Sequence, residues 1–173
     1  MNIIIIGFMG VGKSVVGDKL ARILNMQFID MDTEIEKREK CTIPEIFKNK
    51  GQDYFRDAEK KLIKELVEKD NFVVSTGGGI VTQSENCKIL KEQKHVVFLD
   101  ADVNTIIEHV CNEMEKRPLL KESKNLQEKV NELMIERYSD YKESSNIMID
   151  VNNKNINEVV SQILVYIREY MIL

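Results

Sequence analysis

The run Gly7-Phe8-Met9-Gly10-Val11-Gly12-Lys13-Ser14 has the spacing G-x-x-x-x-G-K-[ST]. That spacing suits a polyphosphate. Glycines let the main chain curl until several N–H groups, here those of Gly10, Val11 and Gly12, converge on one anion. Lys13 then reaches the β- and γ-phosphates, and Ser14 offers a hydroxyl to Mg²⁺. The bland alternative is a glycine turn ahead of an ordinary helix.

A phosphate cradle does not define a reaction. Asp30-Met31-Asp32 follows the apolar segment Gln27–Ile29. If the chain stays extended, both carboxylates face one side. One suits a water of the Mg²⁺ shell. The other suits an attacking hydroxyl, which it can orient for in-line transfer. The competing reading makes Asp32 a plain cap of the helix that includes Ile35. Asp100-Ala101-Asp102 is an internal control. Asp102 precedes Thr105-Ile106-Ile107 as a cap, so this pair is assigned to structure.

Ser75-Thr76-Gly77-Gly78-Gly79 carries three consecutive glycines. These cost backbone entropy and make sense where a ligand must approach the main chain. The alternative is a flexible turn. Arg137 sits in register with the stripe Val130, Leu133, Met134, Tyr138, Tyr141, and Arg56 borders the stripe Phe55, Leu62, Ile63, Leu66. An inward guanidinium requires an anion. Two of them suggest a clamp for a substrate carboxylate, which arginine grips with paired hydrogen bonds. Glu59, one turn later, could orient Arg56. Intramolecular ion pairs are the alternative. The segment Lys116-Arg117-Pro118-Leu119-Leu120-Lys121-Glu122-Ser123-Lys124 is either a mobile lid bringing Arg117 onto the transferring phosphate or a solvated charged loop.

The elements that hold these groups can be read from periodicity. Asn2–Ile6, Gln27–Ile29, Phe72–Ser75, His95–Leu99 and Asn146–Ile149 read as strands separated by helical patterns. The alternation predicts a mainly parallel sheet covered on both faces. Polar or glycine turns follow most of the strands, and in such sheets ligands bind at the carboxyl ends. Thr42-Ile43-Pro44-Glu45 has capping-box spacing with proline in the first turn, and Asn155-Ile156-Asn157-Glu158 caps the last helix similarly.

The chain has 173 residues, enough for one domain spanning 1–173. It is 43% apolar and 31% charged, as soluble globular proteins are. A net charge of −4 gives no reason to expect nucleic acid. No segment is long enough for a membrane span, and the short isoleucine run enters the phosphate loop directly, unlike a signal peptide. Cys41, Cys87 and Cys111 are widely spaced, which fits reduced thiols in the cytoplasm.

Taken in order, the phosphate loop, Asp30-Met31-Asp32, Phe55-Arg56-Asp57-Ala58-Glu59, Gly77-Gly78-Gly79, Arg117-Pro118-Leu119-Leu120 and Glu136-Arg137-Tyr138-Ser139-Asp140-Tyr141 resemble the shikimate kinase family across almost the whole chain. The resemblance implies a three-layer α/β fold of the nucleoside-monophosphate-kinase type. Its five-stranded parallel sheet has the order 2-3-1-4-5, helices on both faces, and a lid at roughly residues 112–125. It implies transfer of the ATP γ-phosphate to the 3-hydroxyl of shikimate, a step toward aromatic amino acids, with Mg²⁺. By that resemblance Asp32 binds the ring hydroxyls and activates the nucleophile, and Arg56, Arg137 and the backbone of Gly78 and Gly79 hold shikimate. Ser14 and, through water, Asp30 hold the metal. Lys13 and Arg117 stabilise phosphate charge.

Three positions depart from the family pattern. Val15 replaces a Ser or Thr, leaving only its N–H for the α-phosphate. Val110, beside His109, stands where many members carry an adenine-stacking arginine. Val151 replaces the usual threonine of the loop Asp150-Val151-Asn152-Asn153-Lys154, where Asn152 and Asn153 are the candidate adenine contacts. Nucleobase preference is therefore open. Two other functions compete: a kinase for another hydroxy acid such as gluconate, and a nucleotide-binding module without turnover. With no evident partner-binding tail, a monomer is expected.

Overall fold

The structure, a computed structural model, describes residues 1–110 and 125–172. Five strands, β1 (Ile3–Gly7), β2 (Gln27–Asp30), β3 (Phe72–Ser75), β4 (Val96–Asp100) and β5 (Ile147–Asp150), form one parallel sheet in the order β2-β3-β1-β4-β5. The expected sheet order is thus observed. Four of the expected strands differ from the observed ones by a residue at one or both ends, and Phe72–Ser75 coincides.

β1 is the spine of the sheet. Its β-branched side chains suit a pleated surface, and every one of its residues is buried. Burial on both faces is what a parallel sheet covered by helices requires. Register brings the strand ends level: Asp30 lies opposite Ser75, Ser75 opposite Ile5, and Gly7 opposite Leu99. The carboxyl ends therefore open onto one edge.

Eight α-helices lie among the described residues: α1 (Lys13–Leu24), α2 (Met31–Glu39), α3 (Ile43–Lys50), α4 (Gln52–Val67), α5 (Ser84–Lys91), α6 (Val103–Val110), α7 (Leu126–Glu143) and α8 (Ile156–Ile172). A 3₁₀ turn, Ile80–Thr82, follows the triple glycine. Thr42 and Glu45 form the expected capping box at α3. At α8, Asn155 Oδ1 accepts from Glu158 N at 3.2 Å, and Asn155 N donates to Glu158 Oε2 at 2.7 Å. Asp102 Oδ1 caps α6 through Thr105 N at 2.7 Å, as the control reading predicts.

One local expectation is corrected. Asp32 does not continue an extended strand. β2 ends at Asp30, whose side chain accepts from Thr33 N at 3.1 Å and caps α2, so Asp32 lies inside the first helical turn. The cap belongs to Asp30, which leaves the Asp32 carboxylate outside that role.

Candidate active site

The phosphate loop leaves β1 at Gly7 and closes at Gly12. Gly10 (φ 79°) and Gly12 (φ 93°) hold backbone angles that side-chain-bearing residues rarely adopt. Gly12 is also the N-cap of α1, with no side-chain hydrogen bond to the first turn. The N–H groups of that turn thus point into the loop with the positive end of the helix dipole behind them. Lys13 is buried and folded back, its Nζ donating to Gly7 O at 2.9 Å and Phe8 O at 2.8 Å. An ammonium held on neutral carbonyls at the loop's mouth is placed to exchange them for phosphate oxygens. The Val15 side chain is exposed.

Ser14 Oγ donates to Asp30 Oδ2 at 2.5 Å and lies 3.4 Å from Ser75 Oγ. The two residues expected at the metal site, on different elements, are therefore in contact. An all-oxygen set with one carboxylate fits a hard divalent cation that keeps most of its water.

Beyond β3, the glycine run lies against the other predicted residues. A Cβ at Gly77 would sit 2.5 Å from Glu59 Oε1 and 2.7 Å from Asp32 Oδ1. At Gly78 it would sit 2.9 Å from Met9 N, so the glycine run rests on the phosphate loop. At Gly79 it would run into the Arg56 guanidinium. The absence of side chains is what permits these approaches.

Arg56 and Arg137 are both buried, as their stripes predict. Arg56 pairs with Glu59, which is completely buried. Burial pushes the Glu59 carboxyl up to about 7, against the pull of Arg56. Arg137 differs. Its Nη1 donates to Gly78 O at 3.1 Å, its guanidinium lies 5.9 Å from the Phe8 ring centroid, and among the described residues no carboxylate lies within ion-pair distance. A buried guanidinium with only a carbonyl and a ring face at contact distance among the described residues is placed to take a ligand carboxylate.

Sequence reasoning placed Tyr141 only in an apolar stripe. Its hydroxyl donates to the same Gly78 carbonyl as Arg137, and its ring stacks on Phe98 with centroids 5.1 Å apart. The available signal was its position one helical turn beyond Arg137. Tyr138, expected in that stripe, is instead partly exposed.

The residues expected near the adenine are less simply placed. Val110 is fully buried, and a Cβ at Gly10 would sit 2.6 Å from its Cγ1, so it packs under the phosphate loop. His109 Nδ1 lies 2.7 Å from Gly10 O. Asn152 Oδ1 accepts from Asp102 N at 2.9 Å and Thr105 Oγ1 at 3.0 Å, tying its loop to α6. Asn153 is exposed, with φ 55°. Arg117 and the lid span lie outside the described residues, apart from Asn125, which caps α7 through Glu128 N.

A phosphate loop on a parallel sheet, facing a carboxylate and two buried arginines, defines a phosphotransferase of the P-loop kinase class. The profile of the shikimate kinase family matches residues 9–168. A shikimate kinase from Sulfurihydrogenibium sp. is 41% identical over 167 residues, 96% of this chain and 98% of the relative. A solved shikimate kinase from Acinetobacter baumannii, in complex with shikimate, has a TM-score of 0.93 at 34% identity, covering 98% of this chain and 93% of that one. The corresponding structure from Aquifex aeolicus has a TM-score of 0.82 at 37% identity, with 99% of each chain covered. The chain belongs to the shikimate kinase family, ATP-dependent kinases that transfer phosphate to shikimate. A gluconokinase from Sinorhizobium meliloti, at 16% identity and a TM-score of 0.58, shares the fold alone.

Proposed function

We propose that this chain, acting as a single domain, transfers the ATP γ-phosphate to the 3-hydroxyl of shikimate, releasing ADP and shikimate 3-phosphate. The observation that carries this reading is Arg137, buried, without a carboxylate partner among the described residues, and facing the glycine loop that Asp32 also borders. Arg137 and Arg56 grip the acid's carboxylate, and the Gly78 and Gly79 backbone supports its ring. That grip brings a ring hydroxyl to Asp32, which accepts its proton as the oxygen attacks phosphorus in line. Lys13 leaves the loop carbonyls for the phosphate oxygens and stabilises charge in the transition state. The loop N–H groups from Gly10 to Val15 hold the nucleotide, and Asn152 and Asn153 border its base. Arg117 completes the phosphate contacts from the lid.

Ser14, and Asp30 through water, would hold Mg²⁺. When bound, the ion neutralises phosphate charge. The chain would work in the cytoplasm as a monomer, with no nucleic-acid or membrane partner. No helix among the described residues is long and apolar enough to cross a membrane.

The test is ADP release with Mg²⁺-ATP and either shikimate or gluconate. Shikimate-dependent release is expected. Release with gluconate alone would transfer the clamp to another acid, and ATP binding without turnover on either would favour a non-catalytic module.

A further inference from the structure

Glu59 is the only acidic side chain among the described residues that is buried. One carboxyl oxygen, Oε2, takes the Arg56 guanidinium. The other, Oε1, has no hydrogen-bond donor among the described residues and lies beside Gly77, where it faces Asp32. Charged groups face Glu59 from three helices: Arg56 from α4, Asp32 from α2 and Arg137 from α7. Tyr141, also on α7, faces it as a neutral hydroxyl that burial keeps protonated.

Among the described residues, the groups facing Glu59 are two cations and one carboxyl, so that with both acids ionised the cluster carries two charges of each sign. A carboxylate substrate brings a third anion into a place shielded from water. Uncompensated buried charge is costly, and a proton is the available relief. Of the two acids Glu59 is the fully buried one, and Oε1 is its oxygen that does not take the Arg56 guanidinium. Burial already favours the protonated form of Glu59 before any ligand arrives.

We propose that binding of the acid substrate draws one proton from solvent onto Glu59 Oε1. Glu59 is then a positioning residue that offsets the charge the substrate carboxylate brings into the clamp. The proton adds to a lone pair on Oε1, and no other bond forms or breaks. This inference rests on the shikimate reading above.

Calorimetric titration of shikimate into the wild-type protein at about pH 8, in buffers of low and high ionisation enthalpy, measures the coupling. Uptake of roughly half to one proton per shikimate is expected, with affinity falling up to about tenfold per pH unit above neutrality. In Glu59→Gln the uptake should drop to near zero and the pH dependence should flatten. Wild-type binding without buffer dependence would overturn the proposal, as would uptake that persists in Glu59→Gln. Should Glu59→Gln not fold, Glu59→Asp replaces it: the midpoint of uptake must move in pH, and an unchanged midpoint rejects Glu59 as the acceptor. Failure of shikimate to bind at any pH is a different result. It removes the shikimate reading, and the proposal with it.

Discussion

Asp32 and Gly79 show how much depends on single positions. The Asp32 carboxylate lies beside the glycine loop and not in a helix cap. Asp32→Asn preserves the shape and removes the base, so turnover should fall by about a hundredfold or more. ATP affinity should remain, because the phosphate loop is untouched. Steady-state kinetics paired with nucleotide binding checks both parts, and near-normal kcat would remove Asp32 from the chemistry. Gly79 works by having no side chain. A methyl there meets the Arg56 guanidinium, which Glu59 holds in place. Gly79→Ala should raise the KM for shikimate by about tenfold or more through misplacement of the clamp. The KM for ATP should not change. Equal shifts in both would point to general disruption of the fold instead.

Elements set these residues, and the sequence revealed them unevenly. The phosphate loop was legible because its glycines, lysine and serine are consecutive and flanked by strand and helix. Arg56 and Arg137 were legible because a charge in an apolar stripe contradicts its surroundings. The position of Asp32 beside the glycine loop was not legible from strand alternation, because β2 ends at Asp30 and a helix starts there. The adenine side was least legible, since burial of Val110 beneath Gly10 depends on how α6 packs under the loop. The meeting of α7 with the glycine loop could not be read at all. Tyr141 and Gly78 are far apart in sequence, and nothing local marks their hydrogen bond. That bond yields a prediction. Tyr141→Phe keeps the ring stacked on Phe98 but leaves Arg137 alone on the Gly78 carbonyl. Losing one hydrogen bond of about 0.5–1.5 kcal/mol should raise the KM for shikimate by roughly two- to tenfold. A KM for shikimate equal to wild type would show that Arg137 needs no such support.

The molecule as a whole records the burial of its site in how stability depends on pH. The Glu59 carboxyl sits near 7 in the folded protein against an ordinary 4.5, so the native state holds this proton more tightly than the unfolded chain. Its contribution favours folding at low pH and is lost as pH rises through about 7. His95 works at the other end. Burial lowers its imidazole below the ordinary 6.5, so its contribution is present above that value and lost as pH falls through its folded value. Thermal midpoints followed from about pH 4 to pH 9 should fall as pH rises from about 4.5 to about 7, and Glu59→Gln should remove that fall. An unchanged fall in the variant would assign it to other groups.

The central place of β1 has a consequence for synthesis. Ile4 lies beside Val74 on one flank and Val96 on the other. Both partners are translated long after it. A ribosome therefore releases four consecutive isoleucines well before either neighbouring strand exists, and a short, uncharged, β-branched segment left with open edges is prone to association. The strand that becomes the most protected in the finished sheet is the one that waits longest for its neighbours.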